Sequence, residues 1–218
     1  MNRILALWRT AIGKKVVMAL TGLIGLAFLV SHVISNLLVF TDPHHLDEWG
    51  EFLRSLGPAL WLARAVLLGA VVLHIVAAWQ LTQQARAARP GAYARHDTQV
   101  ATYAARTMRW GGVLLAVFIV FHILHLTWGQ FHPDFREGEV GRNLITGLAV
   151  TPVALFYAVA MLALGAHFAH GVWSVFQTLG LNHPAWNRAR IALAVGSAVL
   201  IAGGFLAIPL AALLGVLG

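Results

Sequence analysis

Apolar residues dominate this chain in five long runs, separated by short stretches that hold nearly all the charge and most of the prolines. A helix that crosses a bilayer needs about 20 consecutive apolar residues. Five windows meet that length, at about 16–40, 59–83, 110–129, 148–176 and 191–217. Runs of this length are too long for buried strands, so the pattern predicts an all-α, polytopic membrane protein with five transmembrane helices. The windows use most of the chain, and the expectation is a single membrane domain over 1–218.

The connections between windows are polar. Gly57-Pro58 is a turn that can start the second helix. Arg89-Pro90-Gly91 lies in the second connection, His132-Pro133-Asp134 in the third and Asn182-His183-Pro184 in the fourth. Pro209 sits late in the fifth window, where a missing N–H predicts a bend. The lead over 1–15 carries Ile4, Leu5, Leu7, Trp8 and Ile12, which fit either an amphipathic helix on the membrane surface or a short lead-in to the first span. The first apolar run is too long, and lacks the small-residue site, for a cleaved signal peptide.

Composition agrees with lipid as the main solvent. The chain is 59% hydrophobic and 11% charged, against about 25% charged in soluble domains. It has no cysteine, which excludes disulfides, thiolate-ligated iron–sulfur clusters and covalent c-type haem. The formal net charge is +7, and its placement argues for topology rather than nucleic acid. Arg3, Arg9, Lys14, Lys15, Arg86, Arg89, Arg95, Arg106, Arg109, Arg188 and Arg190 fall in segments that share one side. Asp42, Asp47, Glu48, Glu51, Asp134, Glu137 and Glu139 share the other, with Arg54, Arg64, Arg136 and Arg142 as basic neighbours. By the positive-inside rule the N-terminus is expected in the cytoplasm and the C-terminus outside. Anionic lipid or a cytoplasmic partner would meet the basic side.

The candidate chemistry is histidine. His32, His74, His122 and His167 occur one apiece in the first four windows, where a polar ring is costly. Helix rise converts their positions to depth. His32 and His122 lie about 12 Å and about 10 Å from the outer end of their helices, and His74 and His167 about 14 Å from the inner end. Two levels, two rings each, predict two haem groups held by paired imidazoles. His32 and His122 would clamp an outer haem, and His74 and His167 an inner one, in a bundle of the first four helices. The fifth window has no histidine and is expected at the periphery. Two nitrogen ligands per iron suit electron transfer.

Two further histidines compete. His125 and His170 each follow a candidate ligand by three residues and share its helix face, so either member of each pair can be the ligand. His125 and His170 lie closer to their membrane surfaces than their neighbours, where they would hydrogen-bond haem propionates or line a quinone pocket. Gly22, Gly25, Gly69, Gly112 and Gly165 would let a flat ring pass a helix, but ordinary helix packing uses the same residues. His44, His45, His96, His132 and His183 fall in loops and are expected to be mostly solvated.

The chain resembles, along essentially its whole length, the five-helix dihaem cytochrome b membrane anchor of bacterial succinate:quinone oxidoreductases. The resemblance is carried by Thr21-Gly22-Leu23 and Ser31-His32-Val33-Ile34-Ser35-Asn36-Leu37, by Glu51 through Pro58, and by Leu73-His74 and Phe121-His122. Its most specific part is His167-Phe168-Ala169-His170-Gly171-Val172-Trp173-Ser174 with the trailing Phe176-Gln177-Thr178-Leu179-Gly180. It implies two haem b groups on His32, His74, His122 and His167. It implies iron–sulfur and flavoprotein partner subunits on the cytoplasmic face of a bacterial inner membrane. Electrons from succinate would reach a membrane quinone, menaquinone or ubiquinone, and fumarate reduction would run the path backwards. The chain has no flavin-binding glycine motif and no thiol ligand, so the succinate chemistry would belong to the partners. For the quinone, Asp42, His44, His45, Glu48 and Glu51 mark one side and Trp173 and Gln177 the other. Arg64 would neutralise a haem propionate or snorkel to the interface. The competing readings are an anchor for another quinone-linked dehydrogenase and a transporter whose histidines bind a metal ion or relay protons at one depth.

Overall fold

The computed structural model describes the backbone of residues 3–88 and 103–217, and the side chains of 6–88 and 107–217. The Arg89-Pro90-Gly91 turn, Arg95 and His96 lie outside the described residues, as do the side chains of Arg3, Ile4, Leu5 and Arg106. Among the described residues every regular element is helical. The eight α-helices are α1 Arg3–Arg9, α2 Ala11–Asn36, α3 His44–Ser55, α4 Pro58–Ala87, α5 Tyr103–His122, α6 Val140–Leu148, α7 Thr151–Thr178 and α8 Asn187–Leu213. Five helical spans, of 21 to 30 residues, are long and apolar enough to cross a membrane. This is an all-α polytopic membrane protein.

Local chemistry sets the ends of these helices. Thr10 caps α2, its hydroxyl accepting from the Gly13 amide at 2.9 Å. Gly57 takes φ 53°, a conformation that favours glycine, and Pro58 then opens α4. α5 leads into one π-helical turn at Ile123–Thr127. Gly129, at φ 69°, turns the chain out of it, with the Phe135 ring where a side chain would stand. α8 runs through the fully buried Pro209 to Leu213.

Two connections hold more structure than their polarity suggests. α3 carries Trp49 and Phe52, rings 5.3 Å apart and both exposed, and buries Leu46. α6 buries Asn143, Leu144 and Leu148. The two short helices meet where Asp47 Oδ1 accepts from the Gly141 amide at 2.9 Å. Together they cap the end of the bundle that carries the acidic residues.

The spans are not equally embedded. α4 is the least covered, with 6% of its most apolar stretch buried, and it packs chiefly along α2. α8 is the most covered at 33%, against α7 and α2. The expectation of a peripheral fifth helix is therefore corrected. Its small residues explain the difference. A Cβ on Gly204 would sit 2.8 Å from a Val33 methyl, and one on Gly165 would sit 3.3 Å from the Ala202 Cβ. Helices in lipid associate through such close approach. Ala198 and Ile201 of α8 join Val33 and Phe168 in one apolar cluster, and Ile208 joins Phe118, Tyr157 and Met161 in another.

Tryptophans mark the two boundaries. Trp61 and Trp79 on α4, and Trp110 and Trp128 at the two ends of the α5 span, are all exposed. Each pair is eighteen residues apart, about 27 Å of helix, against about 30 Å of bilayer hydrocarbon. Indole rings favour that interface.

Candidate functional site: two histidine pairs in one cleft

A single cleft of about 2080 Å³ runs the length of the bundle between α2, α4, α5 and α7. Typical small-ligand sites occupy about 300–1,000 Å³, so this space holds more than one ligand of that size. His32, His74, His122 and His167 all line it. The structure brings them together in twos, and the twos are those that depth singles out. The rings of His32 and His122 face each other with centroids 5.9 Å apart. Those of His74 and His167 are 6.3 Å apart.

These separations test whether one metal fits between each pair. Imidazole nitrogens about 2.0–2.1 Å from a shared metal, each about 1.1 Å from its ring centre, put the centroids about 6.3 Å apart. The pair at the basic end matches. The pair at the acidic end is a few tenths of an ångström tighter, within reach of a small side-chain adjustment. Among the described residues no three of His, Asp and Glu converge as a metal-ion site. The donors come in twos, as a metal whose remaining ligands belong to a porphyrin requires.

The second nitrogen of each ring decides whether the first is a usable ligand. A neutral imidazole that binds metal through Nε2 keeps its proton on Nδ1. Thr21 meets this need for His74. Its hydroxyl donates to the Val17 carbonyl at 2.7 Å, so its oxygen is left to accept from His74 Nδ1 at 3.1 Å. Tyr157 Oη lies 3.3 Å from His122 Nδ1. Asn36 Nδ2 lies 3.2 Å from His32 Nδ1 and donates to the His32 carbonyl at 2.7 Å. As placed, this amide makes His32 Nδ1 the acceptor; only the interchanged amide would offer its oxygen to an Nδ1–H. His167 Nδ1 is buried without a hydrogen-bond partner. A side pocket of about 270 Å³ beside it, lined by Thr107, Gly111 and Ala166, has room for water.

Glycines divide by what stands over them. A Cβ on Gly22 would lie 3.7 Å from His74 Cε1, and one on Gly112 would lie 3.8 Å from His167 Cε1. Both line the cleft, each ten residues before a histidine of the opposite level, His32 and His122. Gly25 also lines it and faces open space. Gly69 has open space above it, and Gly165 serves the α7–α8 seam.

The competing histidines also separate. His122 lies against His32 in the cleft, whereas His125, within the π turn, is fully buried and does not line the cleft. There its Nδ1 lies 2.9 Å from Tyr157 Oη and its ring stacks on His132, centroids 5.2 Å apart. His170 lines the cleft, but the ring opposite His74 is His167. His132, expected to be solvated, is an anchor instead. Its Nε2–H donates to the Asn143 carbonyl at 2.7 Å, and its Nδ1 accepts from the Asp134 amide at 3.1 Å.

Cationic groups stand at both mouths. Lys15, Arg86 and Arg109 line the cleft at the basic end, and Arg64 at the acidic end, its guanidinium 5.0 Å from the Trp61 ring centre. Gln177 also lines the basic mouth. Trp173 instead lies against the buried Arg190 at 4.2 Å. Asp42, His44, His45, Glu48 and Glu51 do not line the cleft. His44 and Asp47 pair on the surface at 3.4 Å. Tyr157, Asn143 and the anchoring role of His132 escape a reading of the sequence alone, although Tyr157 is the one tyrosine inside the five apolar windows. Compared with protein-family models, with curated proteins and with solved structures, the chain matches none.

Proposed function

We propose that this chain is the dihaem cytochrome b anchor of a succinate:quinone oxidoreductase, holding two haem b groups and passing electrons between iron–sulfur and flavoprotein partner subunits and a membrane quinone. The observation that carries the haem assignment is the pair of facing imidazoles at each of two levels, at 5.9 and 6.3 Å, in one cleft large enough for two planar ligands. The choice of partner rests on the resemblance of the histidine-bearing segments. When bound between paired imidazoles, each haem iron supplies a one-electron carrier that cycles between ferric and ferrous.

The residues of the chain then have distinct tasks. His32 with His122, and His74 with His167, would hold a haem each through their ring nitrogens, which suits one-electron transfer. Thr21 and Tyr157 hold the Nδ1 protons of His74 and His122, which fixes ring orientation and raises ligand basicity. Gly22, Gly25 and Gly112 keep helix surfaces flat where a ring must lie. Lys15, Arg86 and Arg109 at one mouth and Arg64 at the other are placed to meet carboxylates. In this reading the basic end faces the cytoplasm of a bacterium and receives the partner subunits, and the acidic end faces outward.

The two-level arrangement favours this over a transporter whose metal-binding or proton-relaying histidines converge at one depth. The test is to purify the tagged chain from its native membrane and add succinate. Co-purification of a flavoprotein and an iron–sulfur protein, with succinate-driven reduction of a haem b absorbance, is expected. A haem-loaded chain that arrives with a hydrogenase or formate dehydrogenase would contradict the choice of partner.

A further inference from the structure

Tyr157 is 6% exposed and lies between two imidazoles, its Oη 3.3 Å from His122 Nδ1 and 2.9 Å from His125 Nδ1. A phenol has one proton, so between two such nitrogens it can donate to one and accept from the other. The surroundings select the direction. His122 directs its ring into the cleft at His32, and its Nε2 is the atom available to a metal. That leaves the proton on Nδ1, and Tyr157 Oη accepts it. The phenol proton then goes to His125 Nδ1, and His125 carries its own hydrogen on Nε2.

The fold is shaped to hold this chain of groups. The π-helical turn at Ile123–Thr127 brings His125 to the same hydroxyl as His122. Gly147 leaves the space that His125 needs, since a Cβ there would lie 2.8 Å from His125 Nε2. His132 stacks on His125 and is itself fixed by Asn143. Among the described residues the Nδ1 of His167 and the outer Nε2 of His125 are both buried without a hydrogen-bond partner, and at the basic end Thr21 supports His74.

We propose that Tyr157, backed by His125, is a positioning residue. It locks His122 as an Nδ1–H donor and so tunes the electronics of the acidic-end site. This rests on the dihaem reading. An imidazole that donates a proton to a good acceptor is a more basic ligand and stabilises the oxidised metal, which lowers the reduction potential. The hydrogen-bonded side of the acidic-end pair therefore holds its haem at a lower potential than an unsupported His122 would.

The experiment is a redox titration of the haem b absorbance in the purified whole complex, with Tyr157→Phe and His125→Leu beside the unaltered protein. Phenylalanine keeps the ring and removes the hydroxyl. The expected result is an upward shift of one midpoint in Tyr157→Phe, with the other unmoved, and a smaller shift of the same midpoint in His125→Leu. The shifted haem is to be the one that disappears in His122→Ala, and its low-spin ferric EPR signal is to move as well. Unmoved midpoints in both variants, or a shift confined to the haem lost in His167→Ala, would overturn the inference while leaving the dihaem reading standing. A complex without haem would overturn both.

Discussion

The two ends of the cleft hold the same pair of imidazoles in different settings. At the acidic end, His122 is joined through Tyr157 to His125, and His125 stacks on His132, which α6 fixes. At the basic end, Thr21 supports His74, while the buried Nδ1 of His167 adjoins a small pocket. The glycines reverse the emphasis, because Gly22 and Gly112 both lie under the basic-end rings. Each end thus has a hydroxyl that orients one ring, and the acidic end extends it into a longer buried chain of groups while the basic end adds close-lying glycines. In the dihaem account, that difference lets one bundle hold two chemically identical groups at unequal potentials.

The largest effect should separate the ends outright. His74→Ala or His167→Ala is expected to remove one haem and leave the other, and His32→Ala or His122→Ala to do the reverse. Pyridine haemochrome content of the purified variants reads this directly. Loss of the same haem in His74→Ala and His122→Ala would show that the pairs are wrongly drawn.

A smaller effect sharpens the basic end. Thr21→Val keeps the shape of the side chain and removes the oxygen that accepts from His74. Loss of such a support typically lowers metal affinity by about 10–100-fold. Haem retention after a graded detergent wash should fall at the basic-end site alone.

At the acidic end Gly147→Ala forces a methyl to within 2.8 Å of His125. Overpacking of this kind costs about 1–3 kcal/mol. The midpoint of thermal unfolding should drop, and the acidic-end haem spectrum should change while the basic-end spectrum does not. A fully native acidic-end spectrum would mean that His125 is less constrained than its packing implies.

The smallest effect lies in the loop above the acidic end. The Arg142 guanidinium hydrogen-bonds Asp134 and holds its carboxyl below the usual range, with Arg136 adding to it. A depressed carboxyl stabilises the fold above its unfolded pKa and loses that contribution as pH falls through the folded value. Asp134 is fully exposed, so solvent screens the pair. Protection factors of amides in the 132–139 loop, corrected for the pH dependence of intrinsic exchange, are expected to fall modestly on acidification, and Asp134→Asn should abolish that change.

Much of this was readable from residue type and spacing. Apolar run length marked all five spans, since bilayer thickness imposes it, and rise per residue paired His32 with His122 and His74 with His167. The rest depends on which way a side chain turns. His122 and His125 share a helix face by spacing and both reach Tyr157, but only His122 also lines the cleft, a distinction that spacing does not give. His132 looks like a loop residue until Asn143 and Asp134 engage both its nitrogens. α8 has no histidine to advertise its place, and its packing against α7 and α2 is written in Gly165, Ala202 and Gly204, residues equally at home facing lipid. Tyr157 carried a signal, a lone phenol in an apolar run, but its partners lie 32 and 35 residues away in sequence.

The central claim is that two metal centres sit one above the other, each gripped by two rings. The most direct measurement is the reduced-minus-oxidised optical spectrum of the purified chain, with iron and protein quantified on the same sample. The account predicts low-spin b-type bands and two haems per chain. A colourless protein, or one that saturates at a single haem, would contradict it.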